Sequence, residues 1–225
     1  MKEYQKIPAV FKRDTQTHKL IPEYISPEVE YLANNLWSYS EKVDGTNTQI
    51  NWDGHVITLG GRTEKAQIPD PLKSFLETNY VTHEMEEVFE QLFGDKDVTI
   101  YGEGYGYKIT IPQHYNGNNV YFKDKGVGFR VFDVNINGYY LSKDNMIDVA
   151  QKLGMEHIEI LGYATLPQLI DKMKTHPNSP LIEANTGNQY EMEGYVATPA
   201  VPMYNNKGER IIVKIKWKDV KELVQ

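Results

Sequence analysis

Residues 37–62 read WSYSEKVDGTNTQINWDGHVITLGGR, and their pattern decides the class of fold. From Asn47 to Arg62, polar and apolar residues alternate on either side of Asp53-Gly54, as in two half-buried strands joined by a tight hairpin turn. Strand-type runs recur downstream: DVTIYGEGYG at 97–106, YKITI at 107–111, VYF at 120–122 and GFRVFDVNINGYYLS at 128–142. Asn137-Gly138 supplies a second hairpin turn, and GYVATPAVPMYNNKGERIIVKIKW at 194–217 ends the series. Three helices are expected between them. Met85, Val88, Phe89, Leu92 and Phe93 repeat at helical spacing and stop at Gly94; Met146, Val149, Ala150 and Leu153 run from an N-cap at Ser142 to Gly154; Leu166, Leu169, Ile170 and Met173 follow Thr165. The expected class is α+β, mainly antiparallel sheet with helices packed on it.

The bulk composition narrows the function. With 225 residues, 40% of them hydrophobic, the chain can bury an ample core without covalent staples. There are no repeats, low-complexity tracts or Pro/Gly/Ser-rich linkers, so a single domain over 1–225 is expected. The absence of cysteine excludes a disulfide framework, a thiolate nucleophile and Cys-type zinc. No apolar leader and no window of eighteen apolar residues is present, which predicts a cytoplasmic protein with no membrane partner. A net charge of −7 argues against nucleic-acid binding through bulk positive charge. A local basic groove remains open, because Lys207, Arg210, Lys214, Lys216, Lys218 and Lys221 crowd the C-terminal end; a solvated face is the plainer reading of that run. The histidines show no HExxH-type spacing, and neither GxSxG nor GxxxxGK[ST] occurs.

Several short segments carry candidate chemistry. In EKVDGTN, residues 41–47, Gly45 permits a tight turn beside Lys42 at which a large ligand could approach the backbone, and Thr46 and Asn47 add neutral hydrogen-bonding groups. Alone, such a segment is more often a surface turn than a site. YGEGYG, residues 101–106, sets Glu103 between glycines at a strand end, suited to a ribose hydroxyl; a dinucleotide-fold reading fails because YKITIP is expected to continue as strand rather than open a helix. In FRVFDV, residues 129–134, Phe132 lies opposite Val131 and could stack on a base, although strand aromatics are more often core. EMEGYV, residues 191–196, places Glu193 beside a glycine. Lys214 and Lys216 stand two apart on one strand, so their ammonium groups share a face and call for an anion between them, with phosphate the obvious candidate and a solvent-facing pair the alternative.

Taken in order, KVDGTN, GRT, YGEGYG, FRVFDV, MEGYV and VKIK resemble the six collinear motifs of the covalent nucleotidyltransferase superfamily of polynucleotide ligases and capping enzymes. The resemblance runs from Lys42 to Lys216. Threonine and asparagine after the motif glycine are closer to ATP-dependent RNA ligases of the double-strand nick-sealing type than to DNA ligases. It implies a ligase-type domain with an ATP-grasp-like nucleotide cleft. Lys42 would attack the α-phosphorus of ATP and hold AMP as a phosphoamide. Glu41, largely through its backbone, and Val43 would frame the nucleotide. Asn47 and Arg62 would contact phosphates, Glu103 would accept a ribose hydroxyl, and Phe132 would stack on adenine. Glu193 would hold Mg²⁺ or Mn²⁺ directly or through water. Lys214 and Lys216 would neutralise the α-phosphate in the transition state, so that Lys42, Lys214, Lys216 and Arg62 form the catalytic set. Asp133 could orient Arg62, sit near the metal, or simply solvate its strand.

The implied reaction has three steps. Lys42 is adenylated with loss of pyrophosphate, AMP passes to a 5′-phosphate, and a 3′-hydroxyl displaces AMP to seal the strand. RNA ends or a nicked duplex, of RNA or RNA with DNA, are the expected substrates. A DNA ligase or capping-type nucleotidyltransferase is the second reading, and a nucleotide-binding module without turnover the third. Two features depart from the family pattern. Asp44 stands where nick-sealing RNA ligases often carry histidine, and only nine residues follow Lys216, so an appended OB-fold or helical module is not expected. That leaves room for a partner protein in its place.

Overall fold

A computed structural model of the chain describes residues 3–63, 65–109 and 120–224. In chain order the elements are β1 (Phe11–Arg13), β2 (Leu20–Tyr24), α1 (Pro27–Leu32), β3 (Trp37–Glu41), β4 (Thr46–Trp52) and β5 (Ile57–Gly61). Next come α2 (Asp70–Tyr80), α3 (His83–Phe93), β6 (Val98–Gly106), β7 (Val127–Ile136), β8 (Tyr139–Tyr140) and α4 (Lys143–Lys152). The chain closes with β9 (Ile160–Ala164), α5 (Leu166–Lys174), α6 (Pro180–Thr186), β10 (Gly194–Pro199), β11 (Val213–Lys216) and α7 (Trp217–Val224). They fall into two compact units. One joins the N-terminal residues up to Tyr4 with Asp44–Ile158, and the other joins Gln5–Val43 with Glu159–Gln225.

The unit holding Asp44–Ile158 is built on a five-stranded antiparallel sheet in the order β5-β4-β6-β7-β8. One sheet face is apolar. Ile50, Trp52, Ile100, Phe129, Val131 and Val134 point into a core completed by Leu72 and Leu76 of α2, Phe89 and Phe93 of α3, and Met146 and Ala150 of α4. The other face is polar yet shielded: Gln49 and Asp133 are fully buried, and Thr99 and Asn135 nearly so. The expected helices at 85–93 and 142–154 form as α3 and α4, each started by a side-chain cap: Thr82 accepts from the Met85 N–H and Ser142 from the Asn145 N–H.

The second unit centres on a four-stranded antiparallel sheet, order β11-β10-β3-β9, with β1 and β2 as a separate ribbon. Trp37, Tyr39, Tyr195, Ala197, Val213 and Ile215 pack with Leu166, Leu169 and Met173 of α5 and Val220 of α7. The third expected helix is α5, whose Thr165 and Gln168 form a reciprocal capping box.

Among the described residues, two expected strands do not form. After Gly106, at φ 110°, residues 107–109 turn, with the Tyr107 N–H donating to the Gly126 carbonyl and the Ile109 N–H to that of Gly106; residues 110 and 111 of the expected YKITI strand lie outside the described residues. Residues 120–122 are irregular, with bends from Tyr121 on, and Val120 and Tyr121 are buried, so their β-type composition reflects burial rather than pairing. The objection to a dinucleotide fold stands on different ground from that expected, since a turn and not a strand follows the glycines. Helices α1, α2, α6 and α7 come in addition to the three expected. In α2, Leu72, Leu76 and Tyr80 repeat every fourth residue directly after Pro69 and Pro71, which mask the start of the pattern.

Candidate active site

Lys42 follows β3 directly, and its backbone N–H donates to the Gly194 carbonyl at 2.8 Å, so its side chain projects from an anchored strand end. Beside β3 lies β10, paired through Tyr195↔Glu41, and beside β10 lies β11, paired through Gly194↔Lys216 and Val196↔Lys214. This register gathers Lys42, Glu193, Lys214 and Lys216. The carboxylate of Glu193 accepts from the Lys42 ammonium on Oε2 and from that of Lys216 on Oε1, the latter at 2.5 Å. The three side chains are 3%, 22% and 14% exposed for Glu193, Lys42 and Lys216, so the ion pairs are largely withdrawn from solvent.

The electrostatics follow from that packing. Burial works to raise the pKa of Glu193, but the charge of Lys42, with hydrogen bonds from Lys216 and Lys42, outweighs it and holds the carboxyl below its ordinary range. Lys214 is pushed down, first by burial and then by the like charges of Lys216 and Lys42, with Glu193 and Asp219 opposing. Glu193 is thus the anion between Lys42 and Lys216, and it acts on Lys214 only as an opposing charge ranked below burial and the neighbouring lysines. Among the described residues no group of three or more His, Cys, Asp or Glu could hold a metal ion. One carboxylate is still a sufficient protein donor for Mg²⁺ or Mn²⁺ when phosphate oxygens and water complete the shell.

Glu41, at the end of β3, turns its side chain away from chemistry. It is buried, accepting from the Ser179 hydroxyl on Oε1 and from the Leu181 N–H on Oε2 at 3.2 Å. Ser179 in turn caps α6 by accepting from the Ile182 N–H. The strand end that carries Lys42 is thus clasped to a helix start. Val43, next in sequence, is buried.

The other unit carries Asn47, Arg62, Glu103, Phe132 and Asp133. Directly opposed residues of neighbouring strands share a face, so Asn47 on β4, Glu103 on β6 and Arg130 on β7 form one row across the polar face. Gln49, Tyr101 and Asp133 form the next. Asn47 Oδ1 is buried and has no hydrogen-bond partner among the described residues. Arg130 donates to the His157 carbonyl at 2.8 Å and pairs with Glu156. Arg62 follows β5 and is half-buried, its carbonyl receiving the Gln49 side chain at 3.5 Å.

Phe132 occupies a β-bulge. Tyr101 opposes Asp133 and the adjacent Gly102 opposes Val131, so Phe132 has no counterpart on β6. Asp133 is fully buried, with its Oδ2 accepting from the Tyr4 hydroxyl at 2.7 Å; the idea that it merely solvates its strand is wrong.

The motif glycines serve packing more than ligand approach. A Cβ on Gly45 would lie 2.2 Å from the Gly104 carbonyl oxygen, and Cβ atoms on Gly102 and Gly104 would meet the Phe129 ring at 2.2 Å and Leu72 at 2.1 Å. Gly102 and Gly104 therefore face the helix-covered core, while Glu103 between them faces the polar side. Arg130, Ser179, Tyr4 and Lys143 join the candidate residues without having been singled out in the sequence. Only Ser179 carried a signal there, as a serine directly before a proline at a helix start.

Comparison with known proteins bears on the family and the fold. The family model described as RNA ligase matches residues 35–216. No curated protein matches the chain. Among solved structures, a Naegleria gruberi RNA ligase variant with ATP and manganese superposes with a TM-score of 0.61 at 16% identity, covering 98% of this chain and 63% of that one. An apo variant of the same ligase gives 0.59 at 18% identity, over 87% and 53%. An archaeal ATP-dependent RNA ligase gives 0.59 at 15%, over 98% and 49%. The likeness is one of fold, and the chain spans about half to two-thirds of the length of these structures. Among the described residues no helix is long and apolar enough to cross a membrane.

Proposed function

Because the chain belongs to the RNA ligase family, we propose that it joins RNA 3′-hydroxyl and 5′-phosphate ends at the expense of ATP, through a covalent Lys42–AMP intermediate and an adenylated 5′ end. The observation that carries this reading is the set Lys42, Glu193, Lys216 and Lys214, in which one carboxylate bridges two ammonium groups at the end of an anchored strand. Such a cluster suits phosphate chemistry. An incoming triphosphate offers oxygens that compete with Glu193 for the lysines, and release from Glu193 frees the Lys42 amine to turn toward phosphorus once its proton is lost. Lys214 and Lys216 then neutralise the charge that builds on the α-phosphate, a role worth most where water is excluded.

In the other unit, Glu103 accepts a ribose hydroxyl, Phe132 stacks on the base, and Asn47 and Arg62 contact phosphates. The orphaned, buried Oδ1 of Asn47 supports its place in a polar ligand site, because such an atom is costly unless something bonds to it. Glu193 is the protein donor for Mg²⁺ or Mn²⁺, which would supply charge stabilisation at the phosphates. The residues of 1–225 act as the adenylating domain, and grip on a nicked duplex or broken end falls to further protein, in this chain or in a partner.

The test is incubation with α-labelled ATP and a divalent metal. The label should become covalently attached to the protein, surviving denaturing electrophoresis and alkali but released by acid as a phosphoamide is, and be lost in Lys42→Ala; persistence of label in that variant would end the assignment. Nicked duplexes with RNA or DNA at each strand end then separate RNA sealing from the DNA-ligase alternative, and labelling with GTP in place of ATP would point to a capping-type enzyme.

A further inference from the structure

The ring assigned to the nucleobase lies where β7 departs from regular pairing, and that departure is held from two sides. Strict alternation along FRVFDV would place Phe129, Val131 and Asp133 on one face. The bulge instead keeps Phe129 and Val131 in the core, sets the half-buried Phe132 ring against Tyr4 and Asp133 under the Tyr4 hydroxyl, and returns Val134 to the core. Without it, either Asp133 would enter the apolar side or Val134 would leave it.

Two residues outside β7 pin this extra residue. The Tyr4 ring meets Phe132 edge-on, with centroids 5.1 Å apart at 67°, and packs against Tyr101 at 4.9 Å, while its hydroxyl donates to Asp133 Oδ2 at 2.7 Å. Lys143, the first residue of α4 after its Ser142 cap, donates its ammonium to the Phe132 carbonyl at 2.8 Å. One contact fixes the ring and the residue after it; the other fixes the carbonyl that the bulge withdraws from the ladder.

We propose that Tyr4 and Lys143 are positioning residues for nucleotide binding, which set the orientation of the base-stacking Phe132 ring by locking the β-bulge at that residue. The proposal rests on the reading of Phe132 as the base platform. It predicts that the two residues act on nucleotide affinity only through Phe132, whereas a purely structural role would act whether or not that ring is present.

A double-mutant cycle tests this. The full chain is titrated calorimetrically with α,β-methylene-ATP, which cannot lose pyrophosphate, in the parent and in Phe132→Ala, each with and without Tyr4→Phe or Lys143→Met. Tyr4→Phe keeps the ring and removes only the bond to Asp133, so it should fold. Each substitution should weaken binding about fivefold in the parent and less than about twofold in Phe132→Ala, and Lys143→Arg, which keeps a donor, should restore most of the loss. Unchanged affinity in both single variants, or equal losses in the two backgrounds, overturns the proposal. If Phe132→Ala itself binds as tightly as the parent, the base-platform reading fails and the proposal with it, an outcome distinct from a failure of positioning alone.

Discussion

Replacing Glu193 by glutamine removes the anion between two lysines while keeping its shape, and the structure sets the size of the effect. The Glu193 side chain is 3% exposed and those of Lys216 and Lys42 are 14% and 22% exposed, so solvent screens the stranded ammonium groups only partly. Losing one partner of a buried ion pair costs about 3–5 kcal/mol. Glutamine keeps one acceptor oxygen, which places this variant near 3 kcal/mol. For a chain of this size such a loss lowers the melting temperature by about 6–12 °C, readable by differential scanning calorimetry. Adding Lys216→Met should raise stability again relative to Glu193→Gln alone, because one of the two stranded charges is then gone. That sign is the sharp part of the prediction. A fall of less than about 2 °C in Glu193→Gln, or a double variant whose loss is the sum of the two single ones, would show that the bridge does not hold the strands together and that the cluster is a loose surface arrangement.

The pH dependence follows from the same group. The folded pKa of Glu193 lies below its ordinary 4.5, so its contribution is fully present above that value and is lost as pH falls through the lower folded value; the melting temperature of Glu193→Gln should therefore fall less steeply below about pH 4.5 than that of the parent. Lys214 behaves in the opposite range. Its folded pKa lies below 10.5, so between that lower value and 10.5 the unfolded chain binds more protons and stability gains with rising pH, a gain that Lys214→Met should abolish in an alkaline melting series. Ser179→Ala removes the α6 cap and a donor to buried Glu41, and should cost about 2–3 kcal/mol by urea titration, with a slower self-adenylation rate because the Lys42 strand end loses its clasp. Gly104→Ala drives a methyl to 2.1 Å from Leu72 and should cost about 1–3 kcal/mol; an unchanged urea midpoint would mean that the sheet and α2 are not packed as described.

Much of the candidate site was legible because its chemistry depends on short spacings. Lys214 and Lys216 share a face by strand periodicity, and the structure keeps them together on β11. The helices with strong caps and a clean apolar repeat, α3, α4 and α5, could be read directly. Phe132 was placed opposite Val131 by simple alternation, and the bulge explains why the apolar run Phe129, Val131, Val134 shifts phase by one residue. That phase shift was present in the sequence, though nothing there said which residue was extra.

What the sequence could not carry is pairing between distant segments. The bridge from Glu193 to Lys42 joins residues 151 positions apart, the Ser179 clasp on Glu41 spans 138, and the Tyr4 bond to Asp133 spans 129. Each depends on sheet register, which is fixed by the packing of whole faces and not by any local propensity. The glycines show the same division. Alone, Gly45, Gly102 and Gly104 read as openings for a ligand, and the tertiary structure fills those spaces with a carbonyl, a phenylalanine ring and a leucine. The linear order of residues thus determined which candidate phosphate-binding groups the chain carries and that they lie on or beside antiparallel strands. Only the folded sheets decided that the anion between the lysines is Glu193, that Asp133 is buried under Tyr4, and that the ring of Phe132 is turned by a bulge, because each of these is a contact between strands or segments whose register is set by burial of the opposite face.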